Sequence, residues 1–162
     1  VYSSDGRAME QIVGDLLLTR GWCAALAESC TGGLIASRLT DVPGSSRYVD
    51  RGVVAYANEA KTSLLGVSTD LLAAHGAVSE AVARSMAEGV RVRAGVDLGI
   101  GVTGVAGPGG GSEAKPVGTV AVAVSTVLES RSRLHRFAGE RTLVKFQASQ
   151  AALNLARLVL ES

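Results

Sequence analysis

Apolar positions along this chain switch between helical spacing and short continuous runs, which predicts helices interleaved with buried strands. The helices are expected at residues 7–20, 32–40, 59–65, 79–94 and 141–160, with a further helical turn at 71–74. Ser79 is a favourable N-cap for the fourth of these helices. In the last helix, the spacing directs Leu143 and Phe146 toward the core together with Leu155 and Val159.

Five segments between the helices have the apolar character of strands, and they lie at residues 22–27, 47–57, 97–103, 119–127 and 129–138. The run 119–127 is almost entirely Val and Ala, which is typical of a central strand buried on both faces. The run 129–138 alternates and carries Arg131, Arg133 and His135, which indicates an edge strand. Strands interleaved with helices predict one α/β domain over residues 1–162, a three-layer α/β/α sandwich with a mixed, mostly parallel sheet of about five strands.

The composition narrows the class of protein. Apolar residues make up 47% of the chain and aromatic residues only 4%, so that Ala, Val and Leu must fill the core. A net charge of +1 argues against a dedicated nucleic-acid binder. No apolar run reaches the roughly 18–20 residues of a membrane span, and no secretory signal is visible. We therefore expect a cytoplasmic protein without nucleic-acid or membrane partners.

The two cysteines and the acidic residues do not predict a metal site. Cys23 and Cys30 have the spacing of neither a zinc motif nor a redox motif, and they are expected to be buried free thiols. The aspartates are scattered without the spacing of metal ligands, which disfavours a metal-dependent phosphatase.

Three polar segments each follow a predicted strand, namely Ser29–Gly33, Tyr56–Lys61 and Thr103–Ser112. Ligand sites in open α/β sheets gather beyond the carboxyl ends of the strands, so we expect these segments to converge. A hydroxyl at the junction of a strand and a helix lies among unpaired backbone N–H groups. This placement leaves two alternatives open, a nucleophile with an oxyanion hole and a site that holds a phosphate.

A nucleophilic Ser29 needs a base, because an isolated serine hydroxyl is a poor nucleophile near neutral pH. His75 and His135 are placed on a loop and an edge strand, where a solvated role is expected. Lys61 is the candidate base, because it lies in the first turn of a helix that Asn58 can cap, where the helix dipole and burial both lower a lysine pKa. Spacing alone would also fit a solvated lysine.

Several neighbouring residues have two interpretations each. Cys30 is a rival nucleophile, although strand alternation allows only one of Ser29 and Cys30 to face the cleft, and we favour Ser29. Tyr56 is either a structural residue or a proton donor for the leaving group. The glycine-rich loop that follows Thr103 allows close approach of a ligand and can form an anion nest. Arg141 and the three arginines at 131, 133 and 136 are expected to form a solvated basic cluster. Arg141 is the one of the four that is also a possible phosphate ligand.

Four motifs together resemble one known family, and they are AESCTGG at 27–33, DRG…YANEAK at 50–61, GAVSE at 76–80 and VTGVAGPGGGSEAKPVG at 102–118. The chain is similar, from about Met9 to Leu160, to the nicotinamide-nucleotide amidohydrolases, also known as the C-terminal domain of the competence- and damage-inducible protein CinA. Larger members of the family carry a further N-terminal domain, so the chain resembles the stand-alone form.

The resemblance implies a deamidase that converts nicotinamide mononucleotide and water to nicotinate mononucleotide and ammonia. It implies a serine–lysine pair at Ser29 and Lys61, which Tyr56 and Thr103 assist in proton transfer or in orienting the amide. The residues expected to contact the substrate are Thr31, Gly32, Gly33, Asn58, Gly104, Gly107, Gly110 and Arg141. The resemblance further implies a dimer or higher homo-oligomer, without a metal or other cofactor.

A second hypothesis is a catalytically silent nucleotide-binding or interaction module linked to DNA uptake or the damage response. The presence of both residues of the pair, Ser29 and Lys61, argues against it.

Overall fold

A single five-stranded sheet forms the centre of the molecule, for which a computed structural model describes residues 6–162. The strands are β1 (Ala24–Glu28), β2 (Val49–Val54), β3 (Leu98–Gly104), β4 (Thr119–Ser125) and β5 (Ser130–Arg136). Their order in the sheet is β2-β1-β3-β4-β5. β1 pairs in parallel with β2 and β3, and β4 pairs antiparallel with β3 and β5. Since β4 alone runs in the opposite direction, the predicted mixed, mostly parallel sheet is confirmed.

Helices cover both faces of this sheet. They are α1 (Met9–Arg20), α2 (Leu34–Thr40), α3 (Asn58–Leu65), α4 (Thr69–His75), α5 (Glu80–Ala94) and α6 (Arg141–Glu161). Along β1, Ala24 and Leu26 pack with α1, α2 and α6, whereas Ala25 and Ala27 pack with α3 and α5. Successive residues of a strand point to opposite faces, so β1 contributes to the cores on both faces of the sheet. The three-layer α/β/α architecture is therefore confirmed.

The patterns of the individual elements explain their places in the sheet. Every residue of β4 is buried, as the run of Val and Ala predicted, whereas β5 is largely exposed at the edge. Ser79 caps α5 by accepting a hydrogen bond from the backbone N–H of Val82, as expected. No helix within residues 6–162 is long and apolar enough to cross a membrane.

Helix α5 packs directly on β3, with almost no side chain between them. A Cβ atom added at Gly99 or Gly101 would collide with the α5 backbone at Ala87 or Ala83. The two glycines thus bring the helix axis unusually close to the sheet. The segment that precedes α5 is consequently held against the carboxyl end of β3.

The expected burial of Leu143 and Phe146 is wrong, because these side chains are 49% and 50% exposed. The buried stripe of α6 instead begins with small residues, Val144 and Ala148, which lie directly on the sheet. Phe146 lies to one side of that stripe, where the guanidinium of Arg38 lies over its ring.

Candidate active site

The carboxyl ends of β1, β2 and β3 surround one small cavity. After β1 the chain enters α2 on one face of the sheet, and after β2 it enters α3 on the other, so a crevice opens between the two strands. The cavity has a volume of about 190 Å³. It is lined by Ser29, Cys30, Tyr56, Asn58, Lys61, Ala77, Val78, Thr103, Gly104 and Ala106. The expected convergence of the three segments therefore occurs.

Ser29 and Lys61 are in direct contact within this cavity. The Nζ atom of Lys61 lies 3.1 Å from Ser29 Oγ and 3.1 Å from the backbone carbonyl oxygen of Tyr56. Both side chains are buried, with 6% of Ser29 and 2% of Lys61 exposed. The Tyr56 carbonyl accepts one N–H of the amine and so orients the nitrogen toward the serine hydroxyl. This is the geometry that a serine–lysine pair requires.

Lys61 is buried without an anionic partner among residues 6–162. Burial lowers the pKa of its ammonium group, because the charged form loses hydration that no carboxylate replaces. Its position in the first turn of α3, where its N–H donates to the carbonyl of Ala57, also disfavours a cation. Lys61 is therefore poised to hold a neutral amine that can accept a proton.

The backbone around Ser29 is pinned on both sides. The N–H of Ser29 donates to the Val102 carbonyl on β3, and the carbonyl of Glu28 accepts from Ala55 just beyond β2. The chain then turns sharply through Gly32 and Gly33, whose φ angles are +60° and +102°. Only glycine adopts such angles without strain, which explains the paired glycines at this point of the sequence. Ser29 is thus held on a strand–turn–helix junction.

This turn presents backbone N–H groups that have no acceptor. Within residues 6–162, the amides of Cys30, Thr31 and Gly33 donate to no protein atom. The amide of Gly32, in contrast, donates to the carbonyl of Ser29 at 3.0 Å. Of the three residues expected to serve the oxyanion or the substrate, Thr31 and Gly33 keep a free amide and Gly32 does not, but none of the three lines the cavity. Cys30 joins them as a candidate donor.

Glu28 is a buried residue of the site that sequence reasoning missed. Its carboxylate is 1% exposed and accepts hydrogen bonds from the Thr31 hydroxyl and from two backbone amides of α2. The Thr31 hydroxyl is consequently committed to Glu28, and Thr31 itself is 1% exposed and does not line the cavity. The available signal was an acidic side chain just upstream of a helix start, where negative charge is favoured.

Cys30 lines the cavity beside Ser29, but it also belongs to the core cluster that contains Ile35 and Leu39, as expected of a residue that packs beneath α2. Only Ser29 contacts Lys61 through its side chain. Burial raises the pKa of the Cys30 thiol to about 12. A thiol that stays protonated is a poor nucleophile, which favours Ser29.

Tyr56 and Arg141 form a bridge at the mouth of the cavity. The guanidinium of Arg141 donates to the Tyr56 hydroxyl at 3.0 Å and to the Gly107 carbonyl at 2.7 Å. Tyr56 itself is 59% exposed, and it is its backbone carbonyl, not its phenol, that contacts Lys61. Arg141 therefore links β2's end to the glycine-rich loop, in addition to any contact that it makes with a ligand.

Thr103 and Asn58 occupy opposite walls of the cavity. The Thr103 hydroxyl donates to the carbonyl of Ala77 at 2.9 Å and thereby holds the segment that precedes α5. Asn58 is the first residue of α3, whose N-cap is Ala57 without any capping side chain. The expected capping by Asn58 is wrong, because the helix begins one residue earlier than predicted, and its exposed side chain lines the cavity instead.

The loop over residues 105–118 lies beside the cavity and contributes only part of it. Gly104 and Ala106 line the cavity, Gly107 is held by Arg141, and Gly110 is exposed and outside the lining. Lys115 anchors the far part of the loop by donating to the His75 carbonyl at 2.7 Å.

A second basic residue, Lys145, was not predicted as part of the site and lies beside the turn Ser29–Gly33. The ammonium of Lys145, one helical turn beyond Arg141 on α6, lies near Gly32. The spacing of four residues between Arg141 and Lys145 was the available signal, because such residues share one face of a helix. The three arginines on β5 lie at the opposite edge of the sheet from β2, and neither histidine lines the cavity.

Among residues 6–162, no group of three or more His, Cys, Asp or Glu side chains is arranged to hold a metal ion.

Comparison with known proteins places these features in a family. The profile of the family described as CinA C-terminal domain matches residues 6–160. A CinA-like protein of Acidobacterium capsulatum is 53% identical over 97% of this chain and 38% of its own length. A putative competence-damage inducible protein of Moorella thermoacetica is 49% identical over 96% of this chain and 37% of its own. The chain thus spans less than two fifths of the length of these relatives.

Solved structures agree with the sequence comparison. The competence/damage inducible protein CihA of Agrobacterium tumefaciens superposes with a TM-score of 0.90 at 39% identity, covering 95% of this chain and 96% of that one. A CinA superfamily protein of Klebsiella pneumoniae gives a TM-score of 0.90 at 35% identity, covering 96% and 99% of the two chains. With the profile match over nearly its whole length, the chain belongs to the CinA C-terminal domain family.

Proposed function

We propose that this protein hydrolyses the carboxamide of nicotinamide mononucleotide, giving nicotinate mononucleotide and ammonia. The observation that carries the proposal is the contact of 3.1 Å between Lys61 Nζ and Ser29 Oγ in a buried site where Lys61 has no carboxylate partner among the described residues. The motif resemblance to nicotinamide-nucleotide amidohydrolases supports this choice of substrate. The finding that the chain belongs to the CinA C-terminal domain family is consistent with it.

The first half of the reaction forms an acyl-enzyme. The neutral amine of Lys61 takes the proton of Ser29 as Oγ attacks the carboxamide carbon. The carbonyl oxygen becomes an oxyanion, toward which the free amides of Cys30, Thr31 and Gly33 donate. Each such donor is typically worth about 3–4 kcal/mol in the transition state. The C–N bond then breaks, and the protonated Lys61 returns its proton to the departing ammonia.

The second half releases the acid. A water molecule that replaces ammonia gives one proton to Lys61 and attacks the ester carbon, and Ser29 Oγ leaves with the proton that Lys61 returns. The sum is one amide bond and one water converted to a carboxylic acid and ammonia. No proton is left over at either residue.

The size of the cavity fits the reactive end of such a substrate. A volume of about 190 Å³ is small beside the roughly 300–1,000 Å³ of most ligand pockets, so it would hold the pyridine ring and its amide. The ribose and phosphate would extend along the mouth, where Arg141 and Lys145 supply positive charge from α6. The glycine-rich loop would lie along this part of the substrate.

Two further parts of the proposal concern the protein in the cell. We expect a cytoplasmic enzyme, because its substrate is an intracellular nucleotide. We also expect a homodimer or higher homo-oligomer, and the exposed apolar side chains of Val54, Leu143 and Phe146 offer surface for such contacts.

An assay of ammonia release over a panel of pyridine nucleotides tests the proposal. The wild type should release ammonia from nicotinamide mononucleotide, with nicotinate mononucleotide appearing in equal amount by chromatography. Ser130→Ala, which changes an exposed serine on β5, serves as the matched control for Ser29→Ala. If the wild type hydrolyses no member of the panel yet binds one of them, the silent-module hypothesis replaces this one.

A further inference from the structure

The carboxylate of Glu28 is bonded at both oxygens to the segment that follows the nucleophile. Oε1 accepts from the Thr31 hydroxyl at 2.6 Å and from the amide of Ile35 at 2.9 Å. Oε2 accepts from the amide of Ala36 at 2.9 Å. Glu28 does not line the cavity, so it reaches no substrate. Any effect of Glu28 on the site must therefore act through Thr31, Ile35 and Ala36, from which it accepts hydrogen bonds.

A carboxylate in this place is costly to bury. Glu28 is 1% exposed and forms no ion pair within the described residues, so neutral donors and the positive end of the α2 dipole, rather than a cation, compensate for its lost hydration. Hydrogen bonds from neutral groups seldom compensate for that loss without a well-fixed geometry. The three hydrogen bonds of the carboxylate therefore restrict the segment that follows Ser29 to one geometry.

The hydrogen bonds of Glu28 close a ring across the turn Ser29–Gly33. Its backbone is fixed between the two neighbouring strands, through Val54 on one side and Val102 on the other. Its side chain is fixed to Thr31 and to the start of α2. Both ends of the turn are thus tied to one residue, and the Ser29 hydroxyl and the free amides lie between those ends.

We propose that Glu28 and Thr31 act as one unit of positioning residues, which holds Ser29 and the oxyanion donors in the geometry of the transition state. This inference rests on the proposed function for its kinetic readout. It also assigns a different role to the Thr31 side chain, which holds the turn rather than the substrate.

Four variants separate positioning from a merely structural role. Glu28→Gln keeps the length of the side chain but places an NH₂ group against either the Ile35 or the Ala36 amide, so one donor loses its acceptor. Thr31→Val removes one hydrogen bond with little change in shape, and Thr31→Ser restores the hydroxyl. Glu10→Gln is the matched control, because Glu10 is also a largely buried carboxylate, paired with Arg38 away from the cavity.

The expected effect is on kcat and not on KM. Glu28→Gln should lower kcat about 100-fold and Thr31→Val about 10-fold, with KM within about twofold of the wild type, because displacements of about 1 Å cost this much in rate. Thr31→Ser should recover kcat to within about threefold, and Glu10→Gln should leave it unchanged. The kcat of the double variant Glu28→Gln/Thr31→Val should lie within about threefold of the kcat of Glu28→Gln alone, because the effects of two residues that act as one unit are not additive.

Two results would overturn the inference. One is a folded Glu28→Gln or Thr31→Val protein with wild-type kcat. The other is a raised KM with unchanged kcat in Thr31→Val, which would mean that the hydroxyl contacts the substrate. If Glu28→Gln does not fold, the comparison of Thr31→Val with Thr31→Ser decides the question alone.

A fluorophosphonate probe separates this inference from the proposed function. The probe phosphonylates an activated serine, releasing fluoride, and needs the same oxyanion donors, but it does not need the natural substrate. Labelling of Ser29 that is slowed about 100-fold by Glu28→Gln supports the inference even if no pyridine nucleotide is hydrolysed, in which case only the proposed function fails. Equal labelling rates in the wild type and Glu28→Gln would refute the inference whatever the substrate.

Discussion

The turn after β1 and the loop after β3 are both rich in glycine, yet they are held in opposite ways. Residues 29–33 are tied at both ends by a buried carboxylate and by strand hydrogen bonds. Residues 105–118 are held mostly by side chains at their surface: Arg141 and Arg136 donate to carbonyls of the loop, and Lys115 of the loop donates to the His75 carbonyl. The difference teaches that glycine allows a sharp, fixed turn in the first segment and the close approach of a ligand in the second. Under the proposed function, the chemistry belongs to the first and recognition of the substrate to the second.

The largest expected effect tests where the chemistry is. Ser29→Ala should lower kcat by about three orders of magnitude or more, as loss of a nucleophile does in serine hydrolases. Substrate affinity should change little, because the rest of the cavity remains. Steady-state kinetics of ammonia release, with binding measured by calorimetry, gives both quantities. Near-normal turnover would move the nucleophile to Cys30.

Lys61→Met should abolish the rise of activity with pH and also stabilise the protein at neutral pH. Burial lowers the pKa of Lys61 in the folded state, so the wild-type rate should rise as pH increases through that lowered value. Between the folded and unfolded pKa values the unfolded chain binds more protons, and the wild type gains stability as pH increases. The stability advantage of Lys61→Met should therefore be largest at low pH and shrink toward about pH 10.

Chemical denaturation at several pH values, beside pH–rate profiles, measures both effects. An advantage of Lys61→Met that grows with pH would contradict the lowered pKa.

A matched pair of glycines sharpens the comparison between the two segments. Gly33 and Gly110 have similar φ angles, +102° and +88°, and an added Cβ at either has its nearest contact at 3.6 Å. Alanine at either position should therefore cost a similar roughly 1–2 kcal/mol of stability. Gly33→Ala should lower kcat, because the amide of Gly33 lies in the turn. Gly110→Ala should raise KM and leave kcat nearly unchanged.

Thermal unfolding and steady-state kinetics of the two variants provide the test. The same kinetic signature for both would mean that the segments do not divide chemistry and recognition in this way.

The smallest expected effect concerns the neighbour of the nucleophile. With its pKa raised to about 12, Cys30 should resist alkylation by iodoacetamide near neutral pH in the folded protein. Cys30→Ala should keep kcat within about threefold, at a modest loss of stability from the small cavity that it creates. Mass spectrometry of the alkylated protein, with Cys23 as the internal comparison, measures the reactivity. Rapid alkylation of Cys30 would contradict its assignment as an inert thiol.

Local patterns were sufficient to predict the framework and to make Ser29 and Lys61 candidates, although spacing alone also fitted a solvated lysine and the resemblance was needed to pair them. The Val and Ala run of β4, the cap at Ser79 and the junction at Ser29 are each determined by neighbours in sequence. The convergence of Ser29 and Lys61 followed from the rule that strand ends meet at one edge of a sheet. No side-chain geometry was needed for these predictions.

Contacts between distant residues were not predictable in the same way. Arg141 bonds Gly107 and Tyr56, which lie 34 and 85 positions away, and no local pattern announces such partners. The acceptor role of Glu28 depends on how the turn folds back, since its partners include backbone amides that every residue has. The exposure of Leu143 and Phe146 depended on which face of α6 met the sheet.

Under the proposed function, the two glycines of β3 that let α5 lie against the sheet would also limit how bulky an amide the cavity accepts. Ala77 and Val78 form one wall of the cavity and are continuous with that helix. A methyl group at Gly101 would force α5 away from the sheet, and this wall would move with it. Substitutions at Gly101, which no substrate would touch, can therefore change the range of substrates. A search for variants with wider amide specificity should begin at Gly99 and Gly101, beneath α5.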